Sequence, residues 1–405
     1  MNLCPAIRVL SLFCVSGLAA LAAPRFTERL ISDQFTYPYG IMAADLDGDG
    51  DVDLTASDAR GKNSLYWFEN DGAGKFTRHL IHFQAPPAYR LERHMIADLN
   101  QDGRPDVVIV ENSSGDLRWL ENPGATRIRE TWAPHFITLS SNVPGAYDVD
   151  VGDIDGDGRP DVVASSWRLG NMFTLHRNPG PQGAEETRWP QTTLAENLLE
   201  TRMVRLGDID GDGDPDVVGT ATRSGLLLWL ENPGRATARP WTQHVVAVSP
   251  RAAHGQVVDM DKDGDLDVLM AAGFAHDLVP SERFPILQEI AWHENLGNGA
   301  DWEKHVIDQP FEQAFEAVAS DLDGDGDMDA VASAWRAGPG VALAWFEAVD
   351  GGWVRHVLKD AWPRAVQVIV ADLDGDGRPD VAACAEGNTR ELRWWRNEGP
   401  APAGK

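Results

Sequence analysis

Short apolar runs alternate with Gly- and Pro-containing breaks along most of the chain. Runs such as 40–44 and 107–110 hold small, aliphatic or β-branched residues and are bounded by Asp, Asn, Gly or Pro. No segment sustains the spacing of three and four residues that an amphipathic helix requires. The pattern therefore predicts an all-β protein built from many short strands joined by tight turns.

An acidic motif, D-x-[DN]-x-D-G-x-x-D, divides the chain into seven units. Its copies begin at Asp45, Asp98, Asp153, Asp208, Asp259, Asp321 and Asp372. A Trp-x-Glu-Asn segment and an aromatic-x-x-His segment, or near variants of them, recur in phase with the motif. Each unit predicts four strands and has the size of a propeller blade. We therefore predict a seven-bladed β-propeller with four-stranded blades over residues 23–397.

The two ends of the repeat region are complementary. Residues 26–31 match the fourth-strand segment 76–81, whereas the chain ends its last unit at the third-strand segment 394–397. The N-terminal strand is therefore predicted to close the last blade and to remove an exposed sheet edge. Residues 398–405 are predicted to form a flexible C-terminal tail.

The first 22 residues have the features of a secretory signal peptide. Arg8 is their single charge, an apolar stretch follows it, and Ala20-Leu21-Ala22 fits a small-x-small cleavage site. An uncleaved anchor is the alternative. We expect a secreted protein, extracellular, on the cell surface or periplasmic, without a membrane span after cleavage. Cys384 is then the single cysteine, and its position among Ser and Thr of sister repeats predicts a small buried strand residue.

The formal charge of −28, from 63 acidic and 35 basic residues, originates in the repeated motif. Positions 1, 3, 5 and 9 of the seven copies hold 27 carboxylates, and 63 − 27 leaves 36 acidic residues. This charge disfavours nucleic acid as a partner, because phosphates require a basic surface.

The acidic motif has the donor set of a calcium site. Asp side chains at positions 1, 3, 5 and 9 and the carbonyl at position 7 offer hard oxygen ligands, and Gly at position 6 permits a sharp turn. Position 12 is never acidic, which excludes an EF-hand. A plain Asp/Gly turn is the alternative for any single copy. We predict up to seven Ca²⁺ ions, one per blade, held by Asp45, Asp47, Asp49, Asp51 and Asp53; Asp98, Asn100, Asp102, Arg104 and Asp106; Asp153, Asp155, Asp157, Arg159 and Asp161; Asp208, Asp210, Asp212, Asp214 and Asp216; Asp259, Asp261, Asp263, Asp265 and Asp267; Asp321, Asp323, Asp325, Asp327 and Asp329; and Asp372, Asp374, Asp376, Arg378 and Asp380.

On these motifs the chain resembles FG-GAP/VCBS repeat proteins and the seven-bladed propeller of integrin α-subunit heads. Five loops match the family's calcium motif fully, while Asn100 and Gln101 in the second loop and Lys262 in the fifth depart from it. The resemblance implies the fold and calcium binding. It does not imply one function, since relatives include adhesion heads, lectins and modules of polysaccharide-active proteins.

Residues that break the repeat mark a candidate ligand site on the face opposite the acidic loops. Aromatic and charged side chains there could bind sugars or protein: Tyr39, Tyr147, Asp148, Asp150, Trp167, Arg168, Arg205, His254, Trp335, Arg336 and Trp362. Buried loop anchors and a structural channel network are the alternatives. A fifth-blade insertion, 272–290, is predicted to wall this site.

We expect a ligand-binding or adhesion module for a glycan or an extracellular protein. The alternatives are a carbohydrate lyase or dehydratase acting at the channel mouth, and a purely structural module. No known catalytic motif is present in the sequence. The repeated Trp and His residues are predicted to be structural, because residues that recur once per blade cannot converge on one site.

Overall fold

A computed structural model of the chain describes residues 23–60, 63–83, 90–138, 142–180, 188–234, 240–274, 287–336 and 338–400. The predicted signal peptide, 1–22, most of the fifth-blade insertion and residues 401–405 lie outside these ranges. Among the described residues, no helix is long and apolar enough to cross a membrane.

The described residues form 28 strands in seven four-stranded antiparallel sheets. Six sheets are made of consecutive strands, and the seventh combines the last three strands with the first one. Blade one contains β2 (Pro38–Ala44), β3 (Asp53–Asp58), β4 (Ser64–Asn70) and β5 (Phe76–Phe83); blade two β6 (Leu91–Ala97), β7 (Asp106–Glu111), β8 (Asp116–Glu121) and β9 (Ala133–Thr138); blade three β10 (Ala146–Gly152), β11 (Asp161–Ser166), β12 (Met172–His176) and β13 (Gln191–Ala195); blade four β14 (Thr201–Gly207), β15 (Asp216–Ala221), β16 (Leu226–Glu231) and β17 (Thr242–Val248); blade five β18 (Ala252–Val258), β19 (Asp267–Ala272), β20 (Glu289–Asn295) and β21 (Trp302–Asp308); blade six β22 (Ala314–Ser320), β23 (Asp329–Ala334), β24 (Val341–Val349) and β25 (Gly352–Asp360); blade seven β26 (Ala365–Ala371), β27 (Asp380–Ala385), β28 (Glu391–Pro400) and β1 (Pro24–Ser32).

The sheets are arranged as a ring, which confirms the predicted seven-bladed propeller. The first strand of each blade contacts the first strands of both neighbouring blades, so these seven strands surround the central channel. Every acidic loop joins the first and second strands of its blade. The loops between strands one and two and between strands three and four therefore form one rim, here called the acidic rim. The other loops form the opposite rim.

The predicted ring closure is confirmed. Strand β1 pairs with β28 in antiparallel register, from Pro24 opposite Pro400 to Ser32 opposite Leu392. Phe26 packs 6.0 Å, between ring centroids, from Trp345 of blade six. The boundary of the predicted tail needs correction, because β28 extends to Pro400 and takes residues 398–400 into the sheet. Pairing of Pro400 with Pro24 at the start of β1 brings this end of the chain into the sheet.

The repeated Trp residues are buried in the core between blades, as the sequence predicts, and Trp67 of blade one packs in one cluster with Leu91 and Val107 of blade two. Each is buried and contacts the aromatic-x-x-His segment, and in five blades the indole stacks on the repeated His ring at centroid distances of 4.3–4.8 Å. The same His binds the Glu of Trp-x-Glu through Nε2, as in the 2.7 Å contact of His79 with Glu69. These residues thus join the third and fourth strands of their own blade and do not meet at one site.

The Asn of the Trp-x-Glu-Asn segment fastens neighbouring blades together. The amide nitrogen of Asn122 donates to the carbonyls of Pro105 in its own acidic loop (3.1 Å) and of Leu46 in the preceding blade's loop (2.9 Å). Five further Asn residues make the same pair of bonds: Asn70, Asn178, Asn232, Asn295 and Asn397. Blade six has Ala348 at this position, so its side chain cannot provide this clamp.

We expect Asn122→Ala to lower the free energy of unfolding by about 1–3 kcal/mol, because it leaves buried carbonyls without a donor. Denaturant unfolding of the calcium-loaded protein measures this loss. Ala348→Asn is the matched reverse change and is expected to cause no comparable loss. An unchanged free energy of unfolding in Asn122→Ala would show that the clamp is dispensable.

Candidate functional site

Each acidic loop folds around the carboxylate at its first position. In the first loop, the backbone N–H groups of Gly48 and Gly50 donate to Asp45 Oδ1 and Oδ2 at 2.8 and 3.0 Å. Gly48 and Gly50 have φ of +79° and +96°, a conformation that favours glycine. The side chains at positions 3 and 5 accept N–H groups two residues further on, as Asp47 does from Asp49. The turn therefore holds several carboxylates close together.

The ninth position of each loop is a buried carboxylate. Asp53 is 1% exposed and accepts the N–H of Leu46 (3.1 Å) and of Asn70 (2.8 Å). Burial raises its pKa to about 6, against these hydrogen bonds, and the pKa of its six counterparts to about 6 or 7. A nearby cation would offset this cost, because an opposite charge favours the ionised form.

In several loops, carboxylate oxygens of the same loop lie close enough together to bind one metal ion. Asp45, Asp47 and Asp53 each place one oxygen within 4.8 Å of the others, and the third and fourth loops contain the equivalent trios. In the fifth loop the group comprises Asp259, Asp261 and Asp263. These acidic groups fit a hard cation that prefers oxygen ligands. A further group, at Glu294, Glu303 and His305, lies outside the acidic motif.

The seventh position divides the loops into two kinds. Four loops carry Asp there, whereas the second, third and seventh carry Arg104, Arg159 and Arg378. Each of these Arg side chains binds the Asp at position 5 of its loop, and its Nε donates to an Asn carbonyl at 2.9–3.0 Å. The Arg loops therefore contain a protein cation beside a predicted metal ligand, and we expect them to bind calcium more weakly.

The second loop is expected to be among the weakest of all, because Asn100 also removes one carboxylate. Asn100→Asp adds a negative charge next to the ion and is expected to raise calcium affinity about tenfold. Terbium luminescence or calorimetric titration at limiting metal measures the gain. Asp47→Asn in the first loop is the matched opposite change and should weaken binding there. Unchanged affinity in both variants would rule out charge count as the controlling factor.

The opposite end of the channel is crossed by buried ion pairs. Arg93 of blade two forms two hydrogen bonds, 2.8 and 2.9 Å long, with Glu316 of blade six, and both side chains are almost fully buried. Asp148 of blade three binds Arg205 of blade four at 2.9 Å. Burial alone would raise the pKa of Asp148, but Arg205 and Arg93 lower it below its usual range.

Several predicted ligand-site residues meet at the hydroxyl of Tyr147. This hydroxyl lies 2.5 Å from the Tyr39 hydroxyl, 3.2 Å from His254 Nε2 and 3.1 Å from Arg202 Nη1. His254 Nδ1 in turn lies 3.8 Å from Asp148. Tyr39, Tyr147 and His254 are buried, so the structure places them inside the channel and not on an exposed binding surface.

A repeated β-bulge accounts for this convergence. In all seven blades the pairing of the first and second strands shifts register near the start of the first strand, as between Ala146 and Val149. Such a bulge redirects side chains. Ser165 on the second strand bonds both the N–H of Asp148 and the carbonyl of Arg202, and Cys384 occupies the same position in blade seven. Cys384 is buried, as predicted.

Arg202 and Glu92 are buried charged groups with unsatisfied atoms at this end. The Arg202 guanidinium lies 4.7–5.2 Å from the ring centroids of Tyr147, Trp167 and Phe274, and its Nε has no hydrogen-bond partner among the described residues. Within the described ranges, both carboxylate oxygens of Glu92 also lack a hydrogen bond, and Arg90 Nε lies 3.1 Å from one of them as an ion pair. Burial raises the pKa of Glu92 to about 7.

The remaining predicted ligand residues are distributed more widely. Trp167 is half-buried, and Arg168 lies exposed over its ring at 4.2 Å. Trp335 donates to Glu386 at 2.6 Å, while the adjacent Arg336 binds Glu312.

Two predicted ligand residues, Asp150 and Trp362, lie away from the residues around the Tyr147 hydroxyl. Asp150 lies further down the channel, where it accepts the N–H of Leu206 at 2.9 Å. Trp362 is 3% exposed, packs on Trp395 and donates to Glu391. Its place in the core between blades six and seven explains why it offers no exposed ring.

Sequence reasoning missed Glu92, Arg93 and Phe274 as members of this cluster. Glu92 and Arg93 were detectable, because charged residues fill two inner-strand positions at which blade one has Tyr39 and Gly40. Phe274 has no such signal, since it follows the fifth blade's second strand in a segment of irregular length.

Comparison with known proteins agrees with this architecture. The model of the FG-GAP-like repeat matches residues 98–164 and 208–270. The chain thus carries FG-GAP-like repeats, within the seven-bladed architecture expected of an integrin α-like propeller. A search of curated proteins finds no match to this sequence.

Solved structures resemble the whole ring. BBS1N, from crystals of its complex with ARL6DN soaked with lead, has a TM-score of 0.56 and 10% identity, covering 93% of this chain and 96% of that one. BBS1N from crystals soaked with mercury gives 0.56, 11%, 93% and 96%. A calcium structure of a Trichoderma reesei Carbohydrate-Active Enzymes Family AA12 protein gives 0.48, 10%, 93% and 97%. At these identities the BBS1N likeness shows the fold alone.

Proposed function

We propose that the protein is a secreted, calcium-binding propeller that acts as a ligand-binding or adhesion module for a glycan or an extracellular protein. Seven acidic loops on one rim support calcium binding, because each buries a ninth-position carboxylate whose ionised form a bound cation would stabilise. The FG-GAP-like repeats support the same assignment.

One observation carries the ligand-binding part of the proposal. At the opposite end of the ring, Arg202 and Glu92 are buried with polar atoms that no described residue satisfies. Arg202 contacts the half-buried ring of Trp167, over which the exposed Arg168 also lies. A fully structural network would be expected to satisfy such groups, because each unsatisfied buried charge costs more than a lost neutral hydrogen bond. Ring, guanidinium and carboxylate together suit hydroxyl-rich or peptide ligands.

The experiment is binding of the calcium-loaded protein to an array of glycans and to extracellular matrix proteins. Trp167→Ala is expected to abolish most of the binding while lowering stability little. Leu169→Ala, at a 70% exposed neighbour on the same loop, is the matched control and should bind normally. Normal binding by Trp167→Ala would exclude this rim as the ligand site.

A carbohydrate-active enzyme, lyase or dehydratase, is the second candidate. The observation that favours it is the arrangement of the Tyr147 hydroxyl, the His254 imidazole and the Asp148 carboxylate. The imidazole lies between the other two groups, with Nε2 towards the hydroxyl and Nδ1 towards the carboxylate. Product analysis of any bound glycan distinguishes the two functions. Conversion that is lost in His254→Gln would favour the enzyme, whereas unchanged glycan would favour the binding module.

A further inference from the structure

Blade three departs from the packing that the other six blades share. Its third strand has Leu175 where the others have Trp, and the paired residue on its fourth strand is Thr192 where five others have His. In blade seven Arg29 covers Trp394 from the equivalent fourth-strand position, 5.1 Å from the ring centroid. Blade three thus replaces two large rings by two small side chains.

Thr192, one of these two replacements, lines a groove between blades three and four. In other blades the aromatic residue that begins the aromatic-x-x-His segment packs against the repeated Trp of the preceding blade. The ring centroids of Phe76 in blade one and Trp394 in blade seven, for example, are 6.3 Å apart. Trp241 of blade four has only Leu175 in the corresponding place, and its ring is half-buried. The groove has a volume of about 410 Å³ and opens on the acidic rim. Small-molecule sites range over about 300–1,000 Å³.

The groove walls combine the Trp241 ring with alternating donors and acceptors. Arg177, which replaces the repeated Glu, donates to Thr192 Oγ1 at 3.0 Å and lies 3.5 Å from Asp155 Oδ2. Asp155 is also a predicted calcium ligand of the third loop, and Thr193 is exposed at the edge of the groove. Arg177 and Asp155 largely balance each other's charge, so the wall is close to neutral.

We propose that this groove between blades three and four binds a neutral saccharide. An indole ring offers a stacking surface to the C–H face of a sugar, while guanidinium, hydroxyl and carboxylate groups match hydroxyls that both donate and accept. An anionic sugar is disfavoured, because the groove adjoins the acidic loops of a chain with a formal charge of −28. The site lies on the acidic rim and is separate from the opposite rim used in the proposed function.

The test measures binding of maltotriose, cellotriose, mannotriose, triacetylchitotriose and, as the acidic comparison, trigalacturonate. Calorimetry or saturation-transfer NMR on the calcium-loaded protein covers the micromolar to millimolar range. Thr192→His restores the residue of five other blades at a position that lines the groove, and it fills the groove from inside. Thr193→Trp fills it from an exposed position, so at least this variant is expected to fold. Leu80→Trp, on an exposed outer-strand site, is the matched control.

We expect at least one neutral trisaccharide to bind and both groove variants to lose affinity at least about tenfold, with Leu80→Trp unchanged. Absence of binding by every neutral trisaccharide would overturn the proposal. Binding of trigalacturonate alone, or undiminished affinity in a folded Thr193→Trp variant, would overturn it as well. The groove variants and Trp167→Ala change opposite rims, so the variants in which binding falls identify the rim that binds, and failure of one site is distinguishable from failure of the other.

Discussion

Removing calcium with a strong chelator is expected to lower the melting temperature by on the order of 10 °C or more. A ligand at 100 times its dissociation constant stabilises the folded state by about 2.7 kcal/mol per site, and the four loops with Asp at position 7 would together contribute about 10 kcal/mol. Differential scanning calorimetry with and without chelator measures the effect, and elemental analysis counts the metal.

The ninth-position carboxylates add a pH signature to this calcium dependence. Burial raises the pKa of Asp53 to about 6 and of Asp329 to about 7, so protons compete with the ion below pH 7. Calcium affinity should therefore fall as the pH is lowered from 8 towards 5.

Asp49→Ala should weaken calcium stabilisation, whereas Asp350→Ala, an exposed acidic change outside the loops, should not. A melting temperature indifferent to chelator, without bound metal, would contradict the calcium assignment.

Deleting residues 24–31 is expected to cause aggregation or loss of most of the folding stability. The deletion leaves a row of backbone groups on β28 without partners and exposes a sheet edge that can pair with another chain. It also removes Phe26 from its packing against Trp345. Size-exclusion chromatography with light scattering, followed by thermal unfolding, measures both consequences.

Deletion of residues 401–405, which follow the last strand, is the control and should leave the protein monomeric. A synthetic peptide of residues 24–32 added to the shortened protein should restore part of the stability, since it can pair with β28. A deletion variant that remains monomeric with wild-type stability would show that the closing strand is dispensable.

The fold was predictable because its signals are local and repeated seven times. Each acidic loop determines its own turn, and each Trp and His pair lies on adjacent strands of one blade. The sequence likewise showed which strand was missing from the last blade. The signal peptide and the secretion that it implies remain predictions, since residues 1–22 lie outside the described chain.

The channel contacts were not predictable, because they depend on geometry across the ring. Arg93 and Glu316 are 223 residues apart in sequence and belong to blades that are not neighbours. Their contact follows from the diameter of the ring and the bulge in each inner strand, neither of which a repeat alignment contains. The same geometry buries Tyr39 and Tyr147, for which sequence alone suggested surface positions.

The groove between blades three and four was predictable only in part. The substitutions at Leu175, Arg177 and Thr192 are visible in the aligned repeats as exceptions. The alignment does not show that Trp241 of the next blade lines the same groove as Arg177 and Thr192.

The register of the closing strand pair has a mechanical consequence. Pro24 and Pro400 are direct partners, so the two ends of the ring leave the propeller side by side. A pulling force applied between these ends acts across the outermost pair of β1 and β28 and opens their hydrogen bonds one after another, like a zipper. Shearing would load all the bonds of the pair together and would resist more force. The propeller should therefore yield first at its closure under tension, while the other six blades are still intact.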